Sequence, residues 1–362
     1  MKYLDGSFLE GGGQICRNAL ALSTLTGESF KMDKIRLGRK QPGLKQQHLT
    51  AINTLKELCD AKTNPVKVGS VQLDYEPGLL KSKSMTVDIK TAGSTTLLLQ
   101  AILLPLSFGS RSCTISLIGG TDAAWSQPFD YMKEVYFPHL YKFVKKLDIK
   151  LLRRGYFPKG GGKIELSVSP KFKRKDFSDF SDFVKEVHQN VPRIDLMERG
   201  KIIQIKGVAH SAQELAKREV VERMVERAKF SLKSLDVPVN IRQEYSQTHS
   251  TGCGITLWAV CSTDEDELSM INPVRLGSDS LGELKKSAEK VGEEAALRMM
   301  AQLKLNAPVD RYLGDGLVPW LMFGGKYKVT EVSKHCKTNV WTTNHFVKNK
   351  VELEDNIVSC EF

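Results

Sequence analysis

The chain has 362 residues, 41% of them hydrophobic, and its 53 basic against 42 acidic residues leave a formal net charge of +11. That is ample for a sizeable core and, by length, for two domains rather than one, while the basic excess favours a polyanionic partner. The longest apolar run, Thr95–Phe108, contains Gln100 and Pro105 and falls short of the roughly 18 residues of a spanning helix, and the acidic turn at Met1–Asp5 is unlike a signal peptide, so an intracellular protein without membrane contact is expected.

In chain order, Gly11-Gly12-Gly13-Gln14 opens an apolar-periodic helix through Leu25, followed by a strand over Phe30–Leu37, a loop at Gly38–Gly43 and a helix over Gln46–Cys59. The same order returns roughly 80 residues later. Thr91–Ser94 opens a helix through Leu106, Cys113–Ile118 reads as a strand, Gly119–Asp122 as a loop, and Phe129–Leu147 as a helix. Alternation marks further strands at Val71–Tyr75 and Lys163–Val168. Lys171–Val191 is charged, repeats Asp-Phe-Ser and reads as a linker or surface insertion. A separate unit then spans 193–306, with a strand at Ile202–Ala209, a charged helix over Gln213–Ser234, strands at Val239–Tyr245 and Gly254–Cys261, and a helix over Ser287–Leu303. From Tyr312 onward the pattern is strand and loop. The fold class expected is α/β, a large domain of repeated βα units with a smaller α/β domain inserted: 1–192, with a linker at about 171–192, then 193–306, then a return segment 307–362.

Several clusters can carry chemistry. Glu10-Gly11-Gly12-Gly13-Gln14 followed by Arg17 sets a carboxylate and an arginine around free helix N–H groups, suited to an anion or equally to a capped tight turn; without a following Gly-Lys-Ser/Thr it is not a Walker loop. Basic residues accompany glycines at Lys34–Lys40 and Arg153–Gly162, where backbone amides and guanidinium forks can meet phosphates, or where solvated turns join elements. Gln47-His48, Tyr312-Leu313-Gly314-Asp315 and Ser333–Asn339, the last containing His335, complete the set. The seven cysteines are odd in number and form no CxxC, so neither a disulfide framework nor a zinc knuckle is indicated. Cys336 beside His335 invites a nucleophilic-thiol reading, against the plainer one of a free thiol.

Taken together and in order, LDGSFLEGGGQICR (Leu4–Arg17), KIRLGRKQPGLKQQHLTA (Lys34–Ala51), TAGSTTLLLQ (Thr91–Gln100), the loop beginning GGTD at Gly119, RRGYFPKGGG (Arg153–Gly162) and the late histidine motif resemble the RNA 3′-terminal phosphate cyclases from Leu4 to about Val340. The resemblance implies an ATP-dependent enzyme assisted by a divalent metal, Mg or Mn, acting on RNA with a 3′-phosphate end. It places the adenylated histidine on His335 and the metal-associated carboxylate on Glu10. Arg17, Arg36, Arg39, Gln47 and His48 match the cluster around the phosphates, and Gln100, Gln127, Pro128, Tyr312, Asp315 and Gly316 match positions lining the nucleotide pocket. Gly316 stands where the family commonly has Gln. Eukaryotic relatives imply a nuclear location, otherwise cytoplasmic.

Two other readings compete. A cyclase-like branch acts in ribosome biogenesis without cyclising RNA and lacks both the EGGGQ run and the catalytic histidine, which this chain has. A plain basic RNA-binding module accounts for the charge but leaves Glu10, Asp315 and His335 unexplained. Within the 193–306 unit, Lys217, Arg218, Arg223, Arg227 and Lys229 are spaced so that several can share a solvent face and assist RNA engagement, or form a simply exposed helix.

Overall fold

The computed structural model describes residues 1–264 and 268–362. Three of its sheets repeat one wiring. In the first, β1 (Lys2–Asp5) passes through α1 (Gly13–Thr26) to its parallel partner β2 (Phe30–Asp33), then through α2 (Gln46–Cys59) to β3 (Lys62–Thr63) and β4 (Leu73–Glu76), giving the order β1-β2-β4-β3. The second repeats it with β5 (Met85–Asp88), α3 (Thr95–Ser107), β6 (Cys113–Gly119), α4 (Phe129–Tyr131), β7 (Val144–Arg153) and β8 (Gly162–Pro170), in the order β5-β6-β8-β7. Parallel pairing demands a crossover, which α1 and α3 supply.

After α5 (Phe180–Asn190) comes β9 (Ile194–Leu196), and the chain then builds a different sheet: β10 (Lys201–Ala212), α6 (Val220–Leu232), β11 (Val239–Ser246), β12 (Cys253–Ser262), β13 (Val274–Leu281) and α7 (Ala288–Lys304), ordered β11-β10-β12-β13. Next follow α8 (Arg311–Leu317), β14 (Gly325–Lys328), which pairs parallel with β9, then α9 (Lys334–Phe346), β15 (Glu352–Glu354) and β16 (Ile357–Cys360). The order β9-β14-β16-β15 is the same wiring a third time, interrupted between its first two strands. The architecture is α/β. No helix among the described residues is long and apolar enough to cross a membrane.

α1 is buried on nearly every face and packs on both α3 and α9. Its polar residues Gln14, Arg17 and Asn18, at i, i+3 and i+4, therefore share an interior face instead of meeting solvent.

Four sequence expectations are corrected. The helix expected over Phe129–Leu147 is a short α-turn continued by π and 3-10 turns as far as Phe143, after which β7 begins. Pro138 interrupts a regular helix, and in β7 Val144, Leu147 and Ile149 are buried beside exposed Lys145, Lys146 and Lys150, a spacing that a helical reading absorbs. The segment Lys171–Val191 is not merely a linker. Asp179 caps α5, which buries Phe183, Val184 and Val187, and the Phe183 ring meets Phe108 and Phe323 at 5.2 and 5.9 Å. The strand expected to reach Leu37 stops at Asp33, because Lys34 and Arg36 turn left-handed, φ 52° and 56°. The tail beyond Tyr312, read as strand and loop, holds α8 and α9.

Candidate active site

Helix α1 starts without a side-chain cap: its N-cap is Gly12. Such an end offers unbonded N–H groups and the positive pole of the helix to an anion. Gly13 is required sterically, since a Cβ there would overlap His48 Nε2 and stand 3.2 Å from Arg17 Nη1. His48, in the first turn of α2, is buried and its Nδ1 accepts from the Lys45 N–H at 2.9 Å. The ring proton is thereby placed on Nε2, which has no partner. Burial, with Arg17, Arg36 and Lys45 behind it, pulls His48 down to about 3, so the ring remains a neutral donor. Arg17 donates from Nη2 to Gln14 Oε1 and leaves its buried Nε without an acceptor. Burial lowers its guanidinium to about 10, still protonated near neutrality.

Beside this cradle Glu10 joins two elements. One carboxylate oxygen is paired with Arg39 Nη2, and the other lies 2.9 Å from His335 Nδ1. The approach of His335 first, then of Arg39, holds the Glu10 carboxyl below the usual range against its partial burial. His335 is the second residue of α9, whose N-cap Ser333 accepts from the Cys336 N–H at 2.8 Å. Ser333 Oγ in turn donates to Asp315, and Asn339 Nδ2 donates to the Asp315 carbonyl at 2.7 Å. The head of α9 is thus fixed to α8. His335 Nδ1 stands 2.9 Å from Glu10 without the alignment of a hydrogen bond, and the ring is 36% exposed. A small turn of the imidazole would let Nδ1–H donate to the carboxylate and put the lone pair on Nε2, the disposition a nucleophile needs. The neighbouring thiol is excluded from that role: Cys336 is buried, and burial pushes it up to about 12.

A cavity opens between α1, α3 and α8, lined by Gln14, Asn18, Gln100, Leu103, Tyr136, Asp315, Gly316 and Trp320 among others. Asn18 Nδ2 and Gln100 Oε1 face it without partners. As it stands this cavity has about 20 Å³ of free space, room for one water, so its unmet donor and acceptor would meet a planar heterocycle only once the walls move apart. Gln100 also donates to Gln127 Oε1 at 3.2 Å. Burial raises the Asp315 carboxyl to about 7, despite the Ser333 hydrogen bond and the nearby His335. Gly316 is filled from the other side, since a Cβ there would come 2.8 Å from Tyr136 Cε2.

The structure therefore gathers Glu10, Arg39 and His335 into one group and Arg17 with His48 into an adjoining one, and sets Gln100, Asp315 and Gly316 around the cavity. Gln47 points toward the loop before α3, where a Cβ on Gly93 would lie 3.6 Å from its Cβ. Arg36 plays a local part: its Nη1 donates to the carbonyls of Gln41 and Gly43 at 3.0 and 2.7 Å, holding the 34–43 loop. Pro128 caps α4, and Tyr312 stacks edgewise on Tyr131; neither belongs to the cavity lining. Sequence reasoning passed over Asn18, Tyr136 and Trp320. Asn18 was open to detection, lying four residues after Gln14 on one helical face; Tyr136 sat inside a misread helix. On α6, Arg223 and Arg227 are paired with Glu289 and Glu293 of α7.

Among the described residues, Asp122, Asp130 and His210 bring possible ligand atoms within 4.8 Å of one another. Arg154 already brings its cation there, 2.8 Å from Asp130 and 3.3 Å from Asp122, so a metal is not called for.

A family model described as RNA 3′-terminal phosphate cyclase matches residues 8–353. The chain is 41% identical over 358 residues to the RNA 3′-terminal phosphate cyclase of Pyrococcus furiosus, covering 99% of this chain and 96% of the relative. It is 39% identical to that of Pyrococcus abyssi, over 98% and 95% of the two chains, and 36% identical to that of Archaeoglobus fulgidus, over 98% of each.

Proposed function

Because the chain belongs to the RNA 3′-terminal phosphate cyclase family, we propose that it uses ATP to close an RNA 3′-phosphate end into a 2′,3′-cyclic phosphate through a histidine–AMP intermediate on His335. The observation that carries this reading is the 2.9 Å approach of Glu10 to His335 Nδ1 beside a cradle of unpartnered donors, Arg17 Nε and His48 Nε2. Nε2 attacks the α-phosphorus of ATP, a P–N bond forms, and the α–β P–O bond breaks with its electron pair leaving on pyrophosphate. Glu10 stabilises the imidazolium character that develops. Arg17, the His48 Nε2–H and the first N–H groups of α1 receive phosphate charge.

An oxygen of the RNA 3′-phosphate next attacks the AMP phosphorus, and the P–N bond breaks, returning the pair to Nε2. The adjacent 2′-OH then attacks the activated terminal phosphorus, losing its proton as AMP departs, a ring closure favoured by proximity. The cavity of Asn18, Gln100 and Asp315 holds the adenine side. Glu10 is the residue that would hold Mg or Mn, in exchange for its present pairing with Arg39, as a single carboxylate beside the cradle for a hard cation that draws its other ligands from phosphate and water. Bound there, the ion would offset charge on the departing pyrophosphate. Residues 193–306 are read as an inserted domain outside this chemistry.

Incubation with α-labelled ATP and magnesium tests the reading. One AMP per chain is expected, mapped to His335 and absent from His335→Ala. Label on Lys334, Lys337 or His48 sinks it, and a chain that is never labelled favours the non-cyclising ribosome-biogenesis branch.

A further inference from the structure

We propose that the loops carrying Trp125 and Phe157 form a stacking platform for the bases of the RNA strand just upstream of its 3′ end. This rests on the reading above that RNA ends are the substrate. Trp125, between β6 and α4, is 99% exposed, and Phe157, between β7 and β8, is 77% exposed. Trp125 is held there by a left-handed backbone, φ 67°, which bulky residues seldom adopt. An indole projected wholly into water on a strained backbone gains nothing for the fold, and its large apolar faces are available to a partner.

The two loops are pinned together at their bases. The N–H groups of Thr121 and Asp122 both donate to the Gly155 carbonyl, at 3.0 and 3.4 Å, and the Gly155 N–H returns a bond to Thr121 Oγ1 at 2.9 Å. Both aromatics therefore rise from one rigid floor. That floor is continuous with the cradle. A Cβ on Gly160 would stand 2.8 Å from Ala92 Cα, and the next residue, Gly93, adjoins Gln47, which precedes His48. Across the platform the loop after β11 closes the far wall: Ser250 Oγ accepts from the Lys159 N–H at 3.0 Å, and the His249 ring lies over Gly161.

The chemistry of the surface selects the occupant. The exposed cations Arg153 and Lys159 flank Phe157 in the chain, and exposed Lys90 precedes Thr91 and Ala92, on which Gly160 of the same loop packs. Aromatic faces interleaved with positive charge are how proteins hold single-stranded nucleic acid without regard to sequence. An apolar protein partner would want a continuous apolar patch, which these cations break. The strand would lie across Trp125 and Phe157 with its terminal phosphate delivered past Gln47 to the corner of His48 and His335.

The test compares the full chain with Trp125→Ala, Phe157→Ala, the double variant and Trp125→Phe. The probe is an oligoribonucleotide of about ten nucleotides, ending in either a 3′-hydroxyl or a 3′-phosphate, with a 3′-phosphorylated dinucleotide beside it. Adenylation by ATP without RNA should be unchanged in every variant. Affinity for the longer oligonucleotide should fall about tenfold in the double variant, whichever end it carries, while the dinucleotide's KM stays put and Trp125→Phe restores most of the loss. Quenching of indole fluorescence on binding should vanish with Trp125, since Trp258 and Trp320 are buried and Trp341 is partly so. Unchanged affinity in the double variant, with cyclisation intact, overturns the platform, leaves the cyclase reading standing and assigns the loops to another partner. Loss of adenylation also overturns it, by making the loops part of the nucleotide site. A chain that never cyclises but shows the affinity loss upholds the platform and removes the cyclase reading instead.

Discussion

Two polar clusters lie in the interior of this protein, and they are built on opposite charge balances. Around Arg154 one guanidinium faces three carboxylates: Asp130 at 2.8 Å, Glu244 at 2.7 Å and Asp122 at 3.3 Å. His210 adds a 3.2 Å approach to Asp122 and a 2.7 Å hydrogen bond to Tyr156 Oη. Burial works against the Arg154 charge, but Asp130 and then Asp122 outweigh it and hold the group protonated above its ordinary range. Glu244 lies on β11 and His210 on β10, so this cluster locks the β10–β13 sheet onto the second repeat. At the head of α1 the balance is reversed. Arg17, Arg39 and a neutral His48 donor converge with Glu10 as the nearby acid, with the Arg36 charge behind them on its own loop, and Arg17 Nε and His48 Nε2 have no acceptor. Both clusters have buried members, the second with Arg39 and part of Glu10 at the surface, and both perturb titration, yet only the second is short of negative charge. An unmet positive balance marks a place for a ligand; burial and shifted titration alone do not.

The sharpest way to break the comparison is to remove the arginine from each cluster. Arg154→Met leaves the buried Asp122 and Asp130 and the partly exposed Glu244 facing one another, and loss of one partner of a buried pair costs about 3–5 kcal/mol. Urea unfolding should show that loss, or the variant should fail to accumulate as folded protein; Glu244→Gln, at the partly exposed edge, should be milder. Arg17→Met removes an under-paired buried charge and should leave stability equal or higher while adenylation by ATP is lost. Pyrophosphate should raise the melting temperature of the unmodified chain and not of Arg17→Met, since only a ligand that binds the folded state stabilises it. Equal destabilisation by both substitutions would erase the distinction.

How far each region could be read from sequence follows from the same physics. The glycine-opened α1, the capped start of α3 and α2 at Gln46–Cys59 rest on local signals, and the structure has them within a few residues of their expected ends. The third repeat stayed hidden because residues 197–324 separate β9 from β14 and no local pattern announces a pairing across such a gap. β7 was lost because its buried Val144, Leu147 and Ile149 fit either period. At the site, Glu10 and His335 came from motifs, whereas their 2.9 Å approach needs α1 and α9 packed together. The Arg154 cluster was invisible for the reason that makes it structural: its members come from five separated stretches.

A finer probe of the site is Gly316, where the family resemblance leads to an expectation of Gln. Tyr136 occupies the space that side chain would need, donating from Oη to the Gly316 carbonyl at 3.1 Å and accepting from Trp320 Nε1 at 2.9 Å. Gly316→Gln must therefore displace a buried ring, and overpacking of this kind costs about 1–3 kcal/mol. The expected outcome is a lower melting temperature with a raised KM for ATP. A pairing of Gly316→Gln with Tyr136→Ala should recover part of the stability if the two side chains compete for one space. No recovery would mean that the glycine answers to something else.

The last effect expected is one of pH, and it tests how α8 supports α9. Burial raises the Asp315 carboxyl from 3.8 to about 7, and Ser333, the cap of α9, donates to it. A folded-state value above the unfolded one means that the folded protein keeps its proton to higher pH. The associated stability is complete below about pH 4 and is lost as pH rises through about 7. Asp315→Asn keeps an acceptor for Ser333 and cannot ionise, so unfolding measured between about pH 4 and pH 7 should be flatter in the variant, each unit of the original difference being worth about 1.4 kcal/mol. Near neutral pH the variant should be the more stable of the two, with adenylation at His335 largely preserved. Parallel profiles in the two proteins would mean that Asp315 ionises in the folded state as it does in the unfolded chain, and that Ser333 alone sets the head of α9.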